Sequence, residues 1–262
     1  MPNFVAISRE TFANKCWHRV ANFAFASQVS IAPVVAAELA PAAMALPLAF
    51  SRQGDNFLPV AVLGLMPQRN FCVGPDGRWL AGYVPASLRS YPFQLARISD
   101  DQEAVCIDVD SGLVRDGHDA DGQVFFNADG TPSQPLQAVM TFLTEQAASQ
   151  AATILACGAL QAAGVIVPWE IKVQRDGQPQ SIDGLFKIDE AALNTLSDEQ
   201  FIILRKSDAL AVAYCQMLSM QRLPLLGQLA QVQAQAAAKS QAIRQATQSG
   251  DIDLSSLTRA HH

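Results

Sequence analysis

Asp-Gly occurs six times in this chain: Asp76-Gly77, Asp116-Gly117, Asp121-Gly122, Asp129-Gly130, Asp176-Gly177 and Asp183-Gly184. Glycine reaches positive φ without steric cost, and aspartate hydrogen-bonds its own backbone, so each pair specifies a tight reversal. A chain that reverses this often builds antiparallel hairpins, because parallel neighbours need a crossover of a dozen or more residues. Short apolar runs stand beside these and other turn signals. Residues 47–51 and 57–65 read as strands joined by Arg52-Gln53-Gly54-Asp55-Asn56. Residues 71–73 and 79–81 read as a strand, a turn and a strand around Gly74-Pro75-Asp76-Gly77. Residues 104–109 and 124–126 read as strands, and 169–173 with 181–188 as a second hairpin around Asp176-Gly177.

The periodicity changes in the second half. Leu136, Val139, Met140, Leu143, Ala147, Ala151, Ile154 and Gly158 recur at intervals of three and four. That spacing predicts one helix over about 136–163, ended near Gly164. A short helix follows over 189–196. Ser197 and Gln200 have capping-box spacing and open the next. Ser207 or Asp208 caps a further helix that runs to about Arg222, before Pro224. In the first half only 31–46, around Glu38, and 86–91 have helical character. Pro33, Pro41 and Pro47 limit the former, since each removes a donor. The fold class is therefore α+β in a single domain, residues 1–230. Short antiparallel strands and hairpins fill its N-terminal half, and helices lie mainly in its C-terminal half. Residues 231–262 are Gln/Ala/Ser-rich and read as a C-terminal tail, with a frayed helix over 233–248 and a mobile end.

Composition removes several function classes. The net charge of −6 and the absence of any basic run longer than Arg205-Lys206 argue against nucleic-acid binding. The five cysteines stand far apart and include no Cys-x-x-Cys, so they read as reduced, buried thiols. Residues 146–169 carry no charge, but Ser149, Gln150, Thr153 and Gln161 interrupt an alanine-rich run too weakly apolar to be an integral membrane segment. No signal-peptide pattern opens the sequence, and the expected location is cytoplasmic.

Catalytic motifs are absent. There is no Gly-x-Ser-x-Gly, no phosphate-binding glycine loop and no His-Glu-x-x-His. A histidine-based metal site or triad has only His18 and His118 to draw on besides the terminal His261-His262. The acidic stretch 116–122 fails as a calcium loop, because Gly117 falls at position one and Ala128 at position twelve. Asp108 and Asp110, two apart on a strand, would be neighbours on one face, and Asp183 and Asp189 flank 185–188; edge solubility explains such pairs equally well. No catalytic residue, metal ligand or cofactor is assigned, and the chain reads more as a non-enzyme than as an enzyme.

One stretch is chemically rich. Of 3 Trp and 3 Tyr, Trp79, Tyr83 and Tyr91 fall between Asp76 and Phe93, interleaved with Arg78 and Arg89. Rigid rings and forked guanidinium groups suit a groove that stacks a planar or sugar ligand and holds carboxylates. They suit a core seam equally. The candidate binding residues here are Arg78, Trp79, Tyr83, Arg89, Tyr91 and Phe93.

Asp76-Gly77-Arg78-Trp79, Tyr83-Val84-Pro85-Ala86, Arg89 and Tyr91-Pro92-Phe93 together resemble the pattern of the bacterial SapC family. Val34-Val35-Ala36-Ala37-Glu38, Pro47-Leu48-Ala49-Phe50, Leu58–Gly64, Cys106-Ile107-Asp108, Leu136-Gln137 and Gly184–Asp189 fall in the family's order. The likeness covers residues 4–229, and its last segment, with Asp183 directly before it, adds Asp183, Phe186 and Lys187 to the candidates. Where the family commonly has His-Leu-x-Ser-Leu, this chain has Gln216-Met217-Leu218-Ser219-Met220, so any role of that histidine is lost. Family members are often encoded beside TonB-dependent receptors and flavin-dependent halogenase-like proteins in carbohydrate-use loci. The resemblance thus implies a soluble accessory or regulatory protein of nutrient uptake, with a sugar, a peptide or a protein from the same locus as partner. It offers two alternatives: a surface-layer component, as the family name suggests, or a tailoring enzyme or partner acting with the halogenase-like protein.

Overall fold

Gly77, Gly117, Gly130 and Gly184 take φ of 80°, 80°, 84° and 83°, the left-handed region that Asp-Gly reversals use. The computed structural model describes residues 2–99, 102–117, 119–175 and 178–248. His118, the Asp176-Gly177 reversal and the expected mobile end over 249–262 lie outside the described residues.

The strands are β1 (Phe4–Ala6), β2 (Lys15–Trp17), β3 (Ile31–Pro33), β4 (Leu48–Gln53), β5 (Asn56–Val62), β6 (Phe93–Ser99), β7 (Gln102–Asp108), β8 (Val114–Asp116), β9 (Gln123–Val124), β10 (Ile166–Pro168), β11 (Ile171–Arg175), β12 (Gln178–Ile182) and β13 (Leu185–Ile188). The α-helices are α1 (Arg9–Phe12), α2 (Leu39–Ala45), α3 (Ala86–Arg89), α4 (Gln134–Ala162), α5 (Glu190–Asn194), α6 (Asp198–Lys206), α7 (Ala209–Ser219) and α8 (Leu223–Gln248). The strands form a five-stranded sheet of order β10-β13-β4-β5-β3, three-stranded sheets β1-β7-β6 and β8-β2-β9, and the ribbon β11-β12. Every pairing among the described strands is antiparallel, as the dense reversals require. The chain is an α+β fold.

Two apolar cores organise it. The larger lies on the five-stranded sheet, where Leu48, Phe50, Val60 and Val62 meet Leu39 of α2, Leu160 of α4, Val212 of α7 and Leu226 of α8. The smaller gathers Phe12, Trp17, Phe93, Ile107, Phe125, Leu136 and Leu143. Trp17 sits at its centre, 4.5 Å from the Phe125 ring and 5.4 Å from Phe93 at an interplanar angle of 83°. Helix α4 spans both cores: Leu136 and Leu143 enter the smaller, and Ala156, Cys157 and Leu160 the larger. Its N-cap Ser133 accepts from the Leu136 N–H, and Pro135 in the first turn gives up a donor that would have had no partner there.

The structure departs from the sequence reading at identifiable places. Residues 71–81 make a single bridge, Val73 to Trp79, instead of a hairpin. The run 181–188 divides at Gly184. Its first half pairs with β11, while β13 crosses to β4 and β10, where Leu185 and Ile188 become buried. Asp108 and Asp110 do not share a strand face. Asp108 ends β7, and its Oδ1 accepts from the backbone N–H groups of Asn3 and Asp110. Asp189 is likewise a helix cap, accepting from the N–H groups of Ala191 and Ala192 at the start of α5. Strand β6 had no counterpart in the sequence reading. Helix α8 runs through residue 230 without a break, and Gln233 on it is buried, donating to the carbonyls of Asn70 and Val73.

Candidate functional site

The segment 83–89 is organised by a residue far from it in sequence. Glu38 ends a 3₁₀ turn over Ala36–Glu38, and its side chain is buried. Polar side chains of α4 hold the open end of that turn: Thr153 Oγ1 accepts from the Ala36 N–H at 2.8 Å, and Ser149 Oγ from the Ala37 N–H at 3.0 Å. The Glu38 carboxylate accepts from the Val35 N–H at 3.2 Å, the Tyr83 hydroxyl at 2.8 Å and the Ala86 N–H at 2.7 Å. A buried carboxylate persists only when its lone pairs are so filled.

Arg89 continues this network outward. It donates to the Tyr83 hydroxyl at 3.1 Å and to the Val84 carbonyl at 3.2 Å, and lies 3.9 Å from the Glu38 carboxylate. Its guanidinium stands 5.6 Å from the Tyr83 ring centroid and 5.3 Å from that of Phe142, between two π faces. Burial, and then the hydrogen bond to Glu38, push the Tyr83 hydroxyl up to about 12, so it stays a donor at neutral pH.

Trp79 donates from Nε1 to the Tyr83 carbonyl and packs against Phe23. Phe23 meets Phe25, and Phe25 stacks on Tyr91 with centroids 4.0 Å apart and an interplanar angle of 9°. The Tyr91-Pro92 peptide bond is cis. Tyr83 and Arg89 thus share one network, and Trp79 and Tyr91 stand at the two ends of a chain of rings. Phe93 is core, buried against Trp17. Arg78 is exposed, and its backbone N–H bonds to Asp76. The remaining candidates lie elsewhere. Phe186 and Lys187 are on the five-stranded sheet, with Phe186 edge-on to Phe57 at 4.7 Å, and Asp183 borders a separate hollow beside Ile31 and Gly64.

Arg89, Tyr91 and Phe93 line a cleft of about 460 Å³ together with Trp17, Arg19 and Phe142. The volume fits a small molecule. With the Gln123 amide turned so that its oxygen faces the Arg19 guanidinium, that oxygen accepts from Nη2 at 3.0 Å and Nε at 2.8 Å. No carboxylate lines the cleft among the described residues, while Arg19 and Arg89 bring two positive charges to it. His18 also lines it, and its Nε2 is 2.8 Å from Asp119 Oδ2, with Cys16 nearby.

The SapC family model matches residues 7–226. The chain belongs to the SapC family. No curated protein and no solved structure matches it. The family segments around Glu38 and around 83–89, some forty-five residues apart, are the ones that the buried carboxylate joins. Gln216 is also buried. Its Oε1 accepts from the Ile188 N–H at 2.9 Å, and its Nε2 donates to the Leu48 carbonyl at 3.1 Å. It bridges β13 and β4 beyond the end of their ladder.

Arg19, Glu38, Phe142 and the His18–Asp119 pair were not among the candidate binding residues, although His18 was weighed as a metal ligand and 116–122 as a calcium loop. Only Glu38 carried a local signal, as a lone acid in an alanine-rich run. The partners of Arg19 and His18 lie about a hundred residues away, and Arg89, the partner of Phe142, about fifty.

Proposed function

We propose that this SapC-family chain is a non-enzymatic binding protein whose cleft takes a small anionic ligand, a sugar acid or the carboxylate end of a peptide. The observation that carries this reading is the pairing of Arg19 and Arg89 with ring surfaces in a cleft that lacks acids among the described residues. Guanidinium groups fork onto carboxylates, and aromatic faces receive sugar rings or planar groups. Arg19 is the better ligand for a substrate carboxylate, because the charge of Arg89 is already answered by Glu38 at 3.9 Å, whereas Arg19 faces the neutral amide of Gln123. Electrostatic attraction of this kind weakens with salt. We place the protein in nutrient uptake, as an accessory of carbohydrate transport through TonB-dependent receptors, on the family resemblance alone.

Calorimetry with galacturonate, glucose and a dipeptide tests the cleft. A uronic acid or dipeptide is expected to bind and glucose to bind weakly. Arg19→Ala should lower the affinity by at least about tenfold, the value of a charge-assisted hydrogen bond. Equal binding of glucose and galacturonate, unchanged in Arg19→Ala, would count against the reading.

A further inference from the structure

Cys16 and His18 stand two apart along β2 and its continuation, so both project from one face, opposite to Trp17 in the smaller core. Strand β2 is central in its sheet, with β8 on one side and β9 on the other. Asp119 and Gly122, which lie between β8 and β9 in the chain, sit over the Cys16–His18 side of β2. Asp119 in that loop meets His18, with Oδ2 and Nε2 2.8 Å apart. The Cys16 sulfur, an imidazole nitrogen of His18 and a carboxylate oxygen of Asp119 all lie within 4.8 Å of one another. Gly122 holds the loop against them. A Cβ there would stand 2.6 Å from Cys16 Sγ and 2.6 Å from Asp119 Oδ1. The φ of Gly122 is outside the left-handed region, so close approach, not backbone conformation, is what calls for glycine.

We propose that Cys16, His18 and Asp119 bind one divalent transition-metal ion, zinc in preference to calcium or magnesium. Thiolate, imidazole and carboxylate are the three donor types zinc uses, at about 2.3, 2.0–2.1 and 2.0–2.2 Å. Donors already within 4.8 Å of one another converge on such an ion by small side-chain movements, with the His18–Asp119 contact giving way to two metal bonds. Calcium and magnesium favour larger sets of oxygen donors, and a thiolate selects against both. Cys16 is buried and closes the inner side. The side chains of His18 and Asp119 are 32% and 47% exposed, so a fourth position faces solvent. The other four thiols do not compete. Burial pushes Cys72 and Cys157 up to about 12 and raises Cys106 and Cys215, which keeps them protonated near neutrality.

Cobalt titration of the reduced full-length protein, followed by absorption, reads the site directly. The expected result is a near-ultraviolet thiolate-to-cobalt band with visible bands of a tetrahedral centre, saturating at one ion per chain and displaced by zinc. Cys16→Ser should lose the thiolate band. His18→Ala, at a half-buried position, and Asp119→Asn, at an exposed one, should each weaken binding by more than about tenfold, with circular dichroism unchanged. A His261→Ala/His262→Ala chain should bind as the parent does. The proposal is overturned by the absence of a saturable thiolate band in the parent chain. It is equally overturned if His18→Ala and Asp119→Asn bind cobalt at the parent's affinity, or if binding disappears with the terminal histidines.

Discussion

At the scale of single residues, Glu38 does most to shape the segment 83–89. Its carboxylate answers three donors at once, two of them backbone N–H groups. In Glu38→Ala these donors lose their partner inside the protein, and urea unfolding is expected to show a loss on the order of 3 kcal/mol. Glu38→Gln keeps one acceptor oxygen and should lose less. Tyr83 adds a pH dependence. Its pKa is raised in the folded state by burial and by Glu38, so the folded protein holds the phenolic proton more tightly than the unfolded chain. Stability from this source is complete below the unfolded value of 10.0 and is lost as pH rises towards about 12. Unfolding free energies measured from pH 9 upward should fall more steeply for the parent chain than for Tyr83→Phe.

At the scale of elements, buried amides replace missing ladder bonds. Gln216 on α7 supplies an acceptor to Ile188 and a donor to Leu48 where β13 and β4 stop pairing. A neutral histidine also presents one donor and one acceptor, so it can meet the same two backbone groups. Gln216→His is expected to keep the fold, whereas Gln216→Leu leaves the Ile188 N–H unpaired and should cost about 2 kcal/mol in denaturant unfolding. The polar breaks in the alanine-rich part of α4 have a comparable use. Ser149 and Thr153, which made 146–169 too polar for a membrane span, cap the turn that carries Glu38. No helix among the described residues is long and apolar enough to cross a membrane.

At the scale of the whole molecule, α4 is the beam between two cores, and the cleft opens beside the smaller one. Because one helix serves both, the cores should unfold together. Chemical unfolding followed by tryptophan fluorescence and by far-ultraviolet circular dichroism is expected to give coincident transitions. Ala148→Pro, at an exposed position between the two buried stretches, interrupts the helix at a cost of about 3 kcal/mol and should separate them.

The sequence by itself determined the local features. Asp-Gly pairs set the left-handed turns at Gly77, Gly117, Gly130 and Gly184, the three-and-four periodicity set α4 within two residues of its observed start and one of its end, and Ser197 with Gln200 set the entry to α6. These depend on backbone preference and on neighbours a few residues apart, which a sequence displays directly. Only the tertiary structure decided which strands pair. It sent β13 to β4 instead of β11, because burying Leu185 and Ile188 outweighs local hairpin closure. It also divided the candidate binding residues. Phe93 went to the core, Tyr83 and Arg89 to the Glu38 network, and Phe186 and Lys187 to another sheet. Sites assembled from His18 and Asp119, or from Arg19 and Gln123, join residues about a hundred positions apart. Their chemistry exists only after the chain has folded back on itself, so no short-range pattern in the sequence could announce it.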